Sequence, residues 1–323
     1  MNGSLREDRW HVKLSYCSYR RILYNHLLVS TDLSHVRLGT SSWAYEGWQG
    51  LVYQRAYPKS RFSQDTLTEY AGYEMDGIPL FRTVGIDHSF YRPANAAQLG
   101  HYARQVPEDF RFCSKVWEEI TIPAYANLPR YGAKAGKSNP RFLDTGAFRD
   151  LVWAPAQESL GSKLGPFIFE FQRWGMEPAA FLEALDRFLG TLPPGPQYAT
   201  EVRNPEILGS RYLNILRTHH VSHVYNHWTA MPPLSDQHRL LERTFTAPHV
   251  VIRLLTPLGL AYEKAVERYA PYDRIIAAQP RMRQDTTALV QQVVAEGKSA
   301  YVLVNNRAEG CSPLTIQALV AGL

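Results

Sequence analysis

From residue 36 onward the chain alternates between short apolar runs and longer stretches whose apolar residues fall at helical spacing. Val36, Leu38 and Gly39 open the series as a buried strand ending at a rim. Small hydroxyls follow at Thr40, Ser41 and Ser42, then the rings of Trp43, Tyr45 and Trp48, of which Trp43 and Trp48 read equally as core aromatics closing one end of the domain. The pattern predicts a helix over 62–77, with Ser63 as cap and Gly77 as stop, then a strand over 81–87 and a helix over 95–105. A strand over 110–115 ends in a lysine. After an interruption the rhythm resumes with strand 166–171, helix 178–190, strand 197–202, helix 205–217, and strands 221–226 and 250–255. Helical stretches 261–278 and 281–295, strand 300–304 and helix 313–320 complete it. About eight strands alternating with helices predict a single (β/α)8 TIM barrel over 36–323. The competing doubly wound sheet lacks a G-x-G-x-x-G after its first strand.

Two segments break the pattern. Residues 116–165 hold Pro123, Pro129 and Pro140, several glycines and the cations Arg130, Lys134, Lys137 and Arg141. They read as a long loop inserted after strand 3 and lying over the barrel mouth, with Arg130, Tyr131, Lys134 and Lys137 as a lid or anion-binding loop. Residues 1–35 show no clean period and no secretory-signal order, and read as an N-terminal appendage, disordered or an upstream extension.

Composition narrows the function classes. With 323 residues, 45% of them hydrophobic, the chain can bury one large core. Its mean hydropathy of −0.30 and the lack of a long apolar run exclude a membrane-spanning helix. The three cysteines form no C-x-x-C pair, which argues against a disulfide framework and fits a reducing cytoplasm. A net charge of +5 permits an anionic partner without implying one. Nothing in the pattern sets an oligomeric state.

The motifs GTSSWAYEGW (39–48), HSFYRP (88–93), EVRNPE (201–206) and VNNRAEG (304–310), in this order, resemble the YecE-like family of unknown function, the domain-of-unknown-function class numbered seventy-two. The resemblance runs from about Val36 to Leu319. It implies a TIM barrel and no particular activity, and a distant likeness of members to endonuclease IV-type barrels raises nucleic-acid binding. The chain departs from many members at Gly85 and at the stretch from Glu170 to Arg173.

Working residues of such barrels sit at the C-terminal ends of strands. Reading one position off each predicted end gives Trp43, Tyr45 and Trp48, Asp87 and Tyr91, Lys115, Glu170, Glu201, Arg203 and Asn204, Asn226 and Trp228, Arg253, and Asn305 with Asn306. Charges of both signs beside aromatic walls fit a polar, carbohydrate-like or phosphorylated small molecule. Glu170, flanked by Phe167, Phe169 and Phe171, reads as a desolvated general acid. Glu201, beside Arg203, reads as an ionised base, with Lys115 as a third catalytic candidate. The activity class leans to a hydrolase or lyase. Equally, Glu201–Arg203 and Lys115–Glu170 read as buried ion pairs locking the barrel. Asn305 and Asn306 read either as ligand hydrogen-bonding groups or as turn caps.

Other chemistries find less support. A retaining glycosidase of the commonest barrel type needs a carboxylate at strand seven, where Arg253 stands. His219, His223 and His227 are spaced for a helix but fall on a strand, so no metal site is expected. No nucleophile elbow or Walker loop occurs, Cys113 sits inside a strand as a core residue, and no cofactor is expected. The alternative partner is a nucleic acid, tracked by the loop 130–141 and stacked on Trp43, Tyr45 and Trp48. A third reading is a non-catalytic scaffold.

Overall fold

A computed structural model describes residues 33–173 and 177–323. Most of the proposed appendage, residues 1–32, lies outside the described residues, and Leu33–His35 form a single turn leading into the first strand. Eight parallel strands close on themselves: β1 (Val36–Thr40), β2 (Thr83–Ile86), β3 (Arg111–Lys115), β4 (Leu164–Phe171), β5 (Tyr198–Val202), β6 (Ser222–His227), β7 (His249–Leu254) and β8 (Ser299–Val304). Their order around the barrel is β1-β8-β7-β6-β5-β4-β3-β2, with β1 pairing back to β2. The outer ring includes α1 (Leu67–Ala71), α2 (Ala96–Ala103), α3 (Ala154–Leu160), α4 (Pro178–Gly190), α5 (Ser210–Thr218), α6 (Leu234–Leu240), α7 (Tyr262–Tyr269), α8 (Pro280–Ala295) and α9 (Ser312–Val320). This is the expected (β/α)8 architecture.

The strands read as near-continuous apolar runs because both faces are covered. One face of each packs outward against the helices, as with Leu38, Val84, Phe112, Phe169, Ile252 and Val302. The other fills the interior with a separate cluster of Cys113, Ile168, Ala199, Val224, Val251, Tyr301 and Leu303. Alternation places Gly39 and Gly85 on this inner face, where there is no room for a side chain. A Cβ on Gly39 would stand 1.9 Å from the Thr83 carbonyl oxygen, and one on Gly85 2.7 Å from that of Ser41. β1 and β2 therefore approach closely only as glycine strands.

The predicted 62–77 helix is instead two short helices, Phe62–Asp65 and α1, followed by a hairpin of Glu74–Met75 with Ile78–Pro79. Asp76 and Gly77 both take positive φ, so the Asp-Gly pair makes a hairpin turn rather than a helix stop. Ser63 makes no cap; Thr66 Oγ1 donates to the Phe62 carbonyl. The 116–165 stretch is not a bare loop, because it contains turns at Glu118–Thr121, Pro129–Lys134 and Thr145–Phe148 and then α3. α6 supplies the helix between β6 and β7 that the pattern did not predict.

One buried carboxylate fixes the connection from α7 to α8. Glu309, fully buried, accepts from Arg283 through Nε and Nη2 and from the Gln279 backbone N–H, while its own carbonyl accepts from Ile276 and Ala277. Glu309→Gln is expected to cost about 2 kcal/mol, since the partly exposed Arg283 regains some water. It should also open residues 270–279 to limited proteolysis. An unchanged melt and cleavage pattern would remove the anchoring role.

Candidate functional site at the strand C-termini

The inward residues at the strand ends converge on one charged centre. Glu170 on β4 and Glu201 on β5 are direct register partners, and Arg253 on β7 is paired with Asn226 on β6. Glu170 Oε2 takes three cations at once: Arg203 Nη2, Arg253 Nη1 and Lys115 Nζ, each 2.9 Å away. Arg253 Nη1 also donates to Glu201 Oε2, and its Nη2 lies 3.4 Å from Asp87. Arg203 Nη2 stands 2.6 Å from Glu201 Oε1, but that oxygen has no aligned donor, so the contact is Coulombic. Arg203 lies over the Trp228 ring at 4.6 Å, while Lys115 Nζ sits 3.7 Å over Phe90.

This network decides the protonation of Glu170. Burial by itself pushes the carboxyl up, as the flanking phenylalanines lead one to expect, but Arg203, Lys115 and Arg253 outweigh it and hold the group well below the usual carboxylate range. That direction favours the anion, and with it the expected Lys115–Glu170 ion pair over the expected general acid. Burial likewise disfavours a charged Arg253, yet Glu201, Asp87 and Glu170 raise its guanidinium above the ordinary value. Glu201 lies fully buried beneath the floor of the pocket.

Above the network opens a cavity of about 410 Å³ lined by residues from seven of the eight strand ends. Among the residues singled out from the sequence, it brings together Asp87, Tyr91, Lys115, Glu170, Arg203, Trp228, Arg253 and Asn305. It adds residues that the reading did not single out: Phe90, Gln172, Arg173, Leu255, Thr256, Tyr262 and Arg307. Arg173 and Arg307 sit inside stretches already singled out, Glu170 to Arg173 and VNNRAEG, but a rule of one residue per strand end passed over them. Tyr91 and Tyr262, 61% and 51% exposed, stand at the mouth as wet aromatic surfaces.

The remaining candidates lie elsewhere. Trp43 and Trp48 turn into the core. Trp43 Nε1 donates to the Ser63 carbonyl, and Trp48 stacks with Tyr53 and Tyr70 while its Nε1 donates to Asn306 Oδ1. Both buried indoles find an acceptor, Trp43 in the short helix Phe62–Asp65 after β1 and Trp48 in the turn that follows β8. Tyr45 packs on Trp48 and Tyr272, and burial pushes its hydroxyl up to about 12 despite the nearby Arg307 cation. Asn226 is fully buried and donates to the Val202 and Val224 carbonyls. Asn204 donates to Glu206 and faces a small groove with Phe171 and Phe181. The amide pair caps turns: Asn305 accepts from the Arg307 N–H and Asn306 from both Ser312 groups.

The basic loop is largely neutralised by its own acids. Arg130 and Tyr131 bond Glu118, and Lys134 and Arg141 pair with Glu119. Only Arg130 reaches toward the pocket, 5.2 Å over the Tyr91 ring; Lys137 is exposed away from it. Of the groups on which the nucleic-acid reading was built, Trp43 and Trp48 are buried and Arg130, Lys134 and Arg141 are paired, while Lys137 stays exposed. Of the three histidines, His219 pairs with Asp186, and His223 lies between Tyr212 and Gln237. His227 is buried with neither ring nitrogen bonded.

Fold and site together define a (β/α)8 barrel protein with a charged, aromatic-walled pocket at the C-terminal ends of its strands. The chain belongs to the DUF72 family: residues 37–323 match the family model described as a protein of unknown function, DUF72. Similar solved structures include a DUF72 family protein from Enterococcus faecalis, 19% identical with a TM-score of 0.56, covering 89% of this chain and 98% of that one. Another, from Thermotoga maritima, is 19% identical with a TM-score of 0.58, again over 89% and 98%. At this identity the likeness carries the fold. None of the curated proteins matches the chain significantly.

Proposed function

We propose that the chain binds a small, polar, negatively charged molecule, carbohydrate-like or phosphorylated, in the pocket at its strand C-termini. The observation that carries this reading is the charge balance of the site. Five cations (Lys115, Arg173, Arg203, Arg253 and Arg307) face three acids (Asp87, Glu170 and Glu201), a surplus of two positive charges around a cavity of about 410 Å³. That volume suits a small molecule, and field lines in a low-dielectric cleft draw anions in. The rings of Tyr91, Trp228 and Tyr262 offer apolar faces for a sugar or planar group. In this reading the floor carboxylates hold the arginines in place, and the acid and base roles expected of Glu170 and Glu201 are not carried over.

A thermal-shift panel of sugar phosphates, the parent sugars and inorganic phosphate tests it. A member present at a hundredfold its dissociation constant adds about 2.7 kcal/mol, a rise in melting temperature of roughly 4 °C. The phosphorylated members should act and the parent sugars should not. If no anionic member shifts the melt at low salt, the reading fails.

A further inference from the structure

The two surplus charges have definite positions. Asp87, Lys115, Glu170, Glu201, Arg203 and Arg253 pair among themselves. Arg173 and Arg307, which also line the cavity, form no close ion pair among the described residues, although Arg173 stands near enough to Glu206 to help lower its carboxyl. Arg307 is held by stacking, 4.5 Å over the Tyr262 ring, and its Nε is buried without an acceptor. Arg173 follows β4 and Arg307 follows β8. In the closed order β1-β8-β7-β6-β5-β4-β3-β2, these strands are four steps apart in either direction, diametrically opposite. Eight tilted strands about 4.8 Å apart make a ring roughly 15 Å across, so two arginines on facing walls leave a gap between them rather than forming one cluster.

We infer that the ligand of this pocket is doubly anionic, with two separated phosphate or carboxylate groups, one held by Arg173 and the other by Arg307. The inference rests on the proposed anion-binding function and adds the number and spacing of the charges. A single phosphate meets only one wall and leaves the opposite guanidinium without a counter-charge. A molecule with an anion at each end neutralises both, and its middle lies over the Glu170 network. Guanidinium forks suit either group because both present paired oxygens. Linking the two contacts in one molecule makes the second intramolecular, so the gain is multiplicative.

Isothermal titration with n-butyl phosphate and with 1,4-butanediol bisphosphate, at equal low ionic strength, distinguishes the outcomes. The bisphosphate is expected to bind at least tenfold more tightly than the monophosphate. Arg173→Gln, at an exposed position, should cut that advantage to less than threefold. Arg307→Lys, which keeps the charge but loses the fork and the stack, should reduce it in part. Equal affinity for both probes overturns the doubly anionic ligand and leaves the anion-binding function standing, as does an advantage that survives Arg173→Gln. Binding of neither probe overturns both.

Discussion

Replacing Arg253 by methionine is expected to lower the unfolding free energy by about 3–5 kcal/mol. The guanidinium is 2% exposed and touches Glu170, Glu201 and Asp87, carboxylates that come from three other strands. Without it Glu170 keeps Lys115 and Arg203, but Glu201 keeps only the misaligned contact to Arg203. The cost is thus a buried carboxylate stripped of its hydrogen-bonded partner. In a chain of this size the loss should bring the melting temperature down by roughly 5–8 °C in calorimetry. The double change Arg253→Met with Glu201→Leu should recover much of it, because removing both partners leaves no uncompensated charge. Arg187→Ala, in a pair with both side chains well exposed, serves as the contrast and should cost under about 1 kcal/mol. A parent-like melt for Arg253→Met would mean that the floor is a mobile, solvated site and not a locked support.

Acid should destabilise the barrel well above the usual carboxylate range. His223, His227 and His249 are all 5% exposed or less, and burial pushes each ring down to about 4 from its ordinary 6.5. Between these values the unfolded chain takes up protons that the folded chain refuses. The stabilisation is therefore fully present above about pH 6.5 and is lost as the pH falls through 4. Such a depression is worth about 3 kcal/mol per histidine, so even half of the combined effect rivals the net stability of a domain. Glu170 acts in the same sense lower down. Its folded carboxyl lies below the unfolded value near 4.3, so its contribution is held above that pH and lost further into acid. Urea melts at pH 7, 6 and 5 should show the free energy dropping by several kcal/mol. His227→Leu isolates one member. Since neither ring nitrogen is bonded, the change should leave stability at pH 7 near or above the parent and reduce the acid slope by about a third. A flat profile from pH 7 to 5 would show that these rings are hydrated or already charged.

The strands were legible because each is an apolar run covered on both faces, and their ends fall within a residue or two of the pattern's boundaries. The α4 helix was equally plain, with Pro178 at its first turn and Gly190 at its end, although the cap is the Glu177 side chain. Short helices were harder. α3 and α6, of seven residues each, carry too few turns for a clear period, and α3 hides inside a proline- and glycine-rich stretch. In 62–77 the Asp76-Gly77 pair was the available signal for a hairpin, but the apolar spacing of Leu67, Tyr70 and Ala71 outweighed it.

By itself the sequence determined the barrel and the set of strand ends from which a site could be built, because the alternation of faces along a strand is a local property. It also placed Glu170 and Glu201 side by side, since adjacent parallel strands in register bring their ends together. Only the tertiary structure decided what those residues are. Closure of the barrel carries Arg253 across from β7 onto Glu170 and Glu201, and with Arg203 and Lys115 it holds the Glu170 carboxyl below the usual carboxylate range. Packing turns Trp43 and Trp48 inward, where their indole N–H groups meet acceptors 20 and 258 residues away in sequence. Protonation and exposure depend on neighbours brought together by the ring of strands, and no local pattern encodes which neighbours those are.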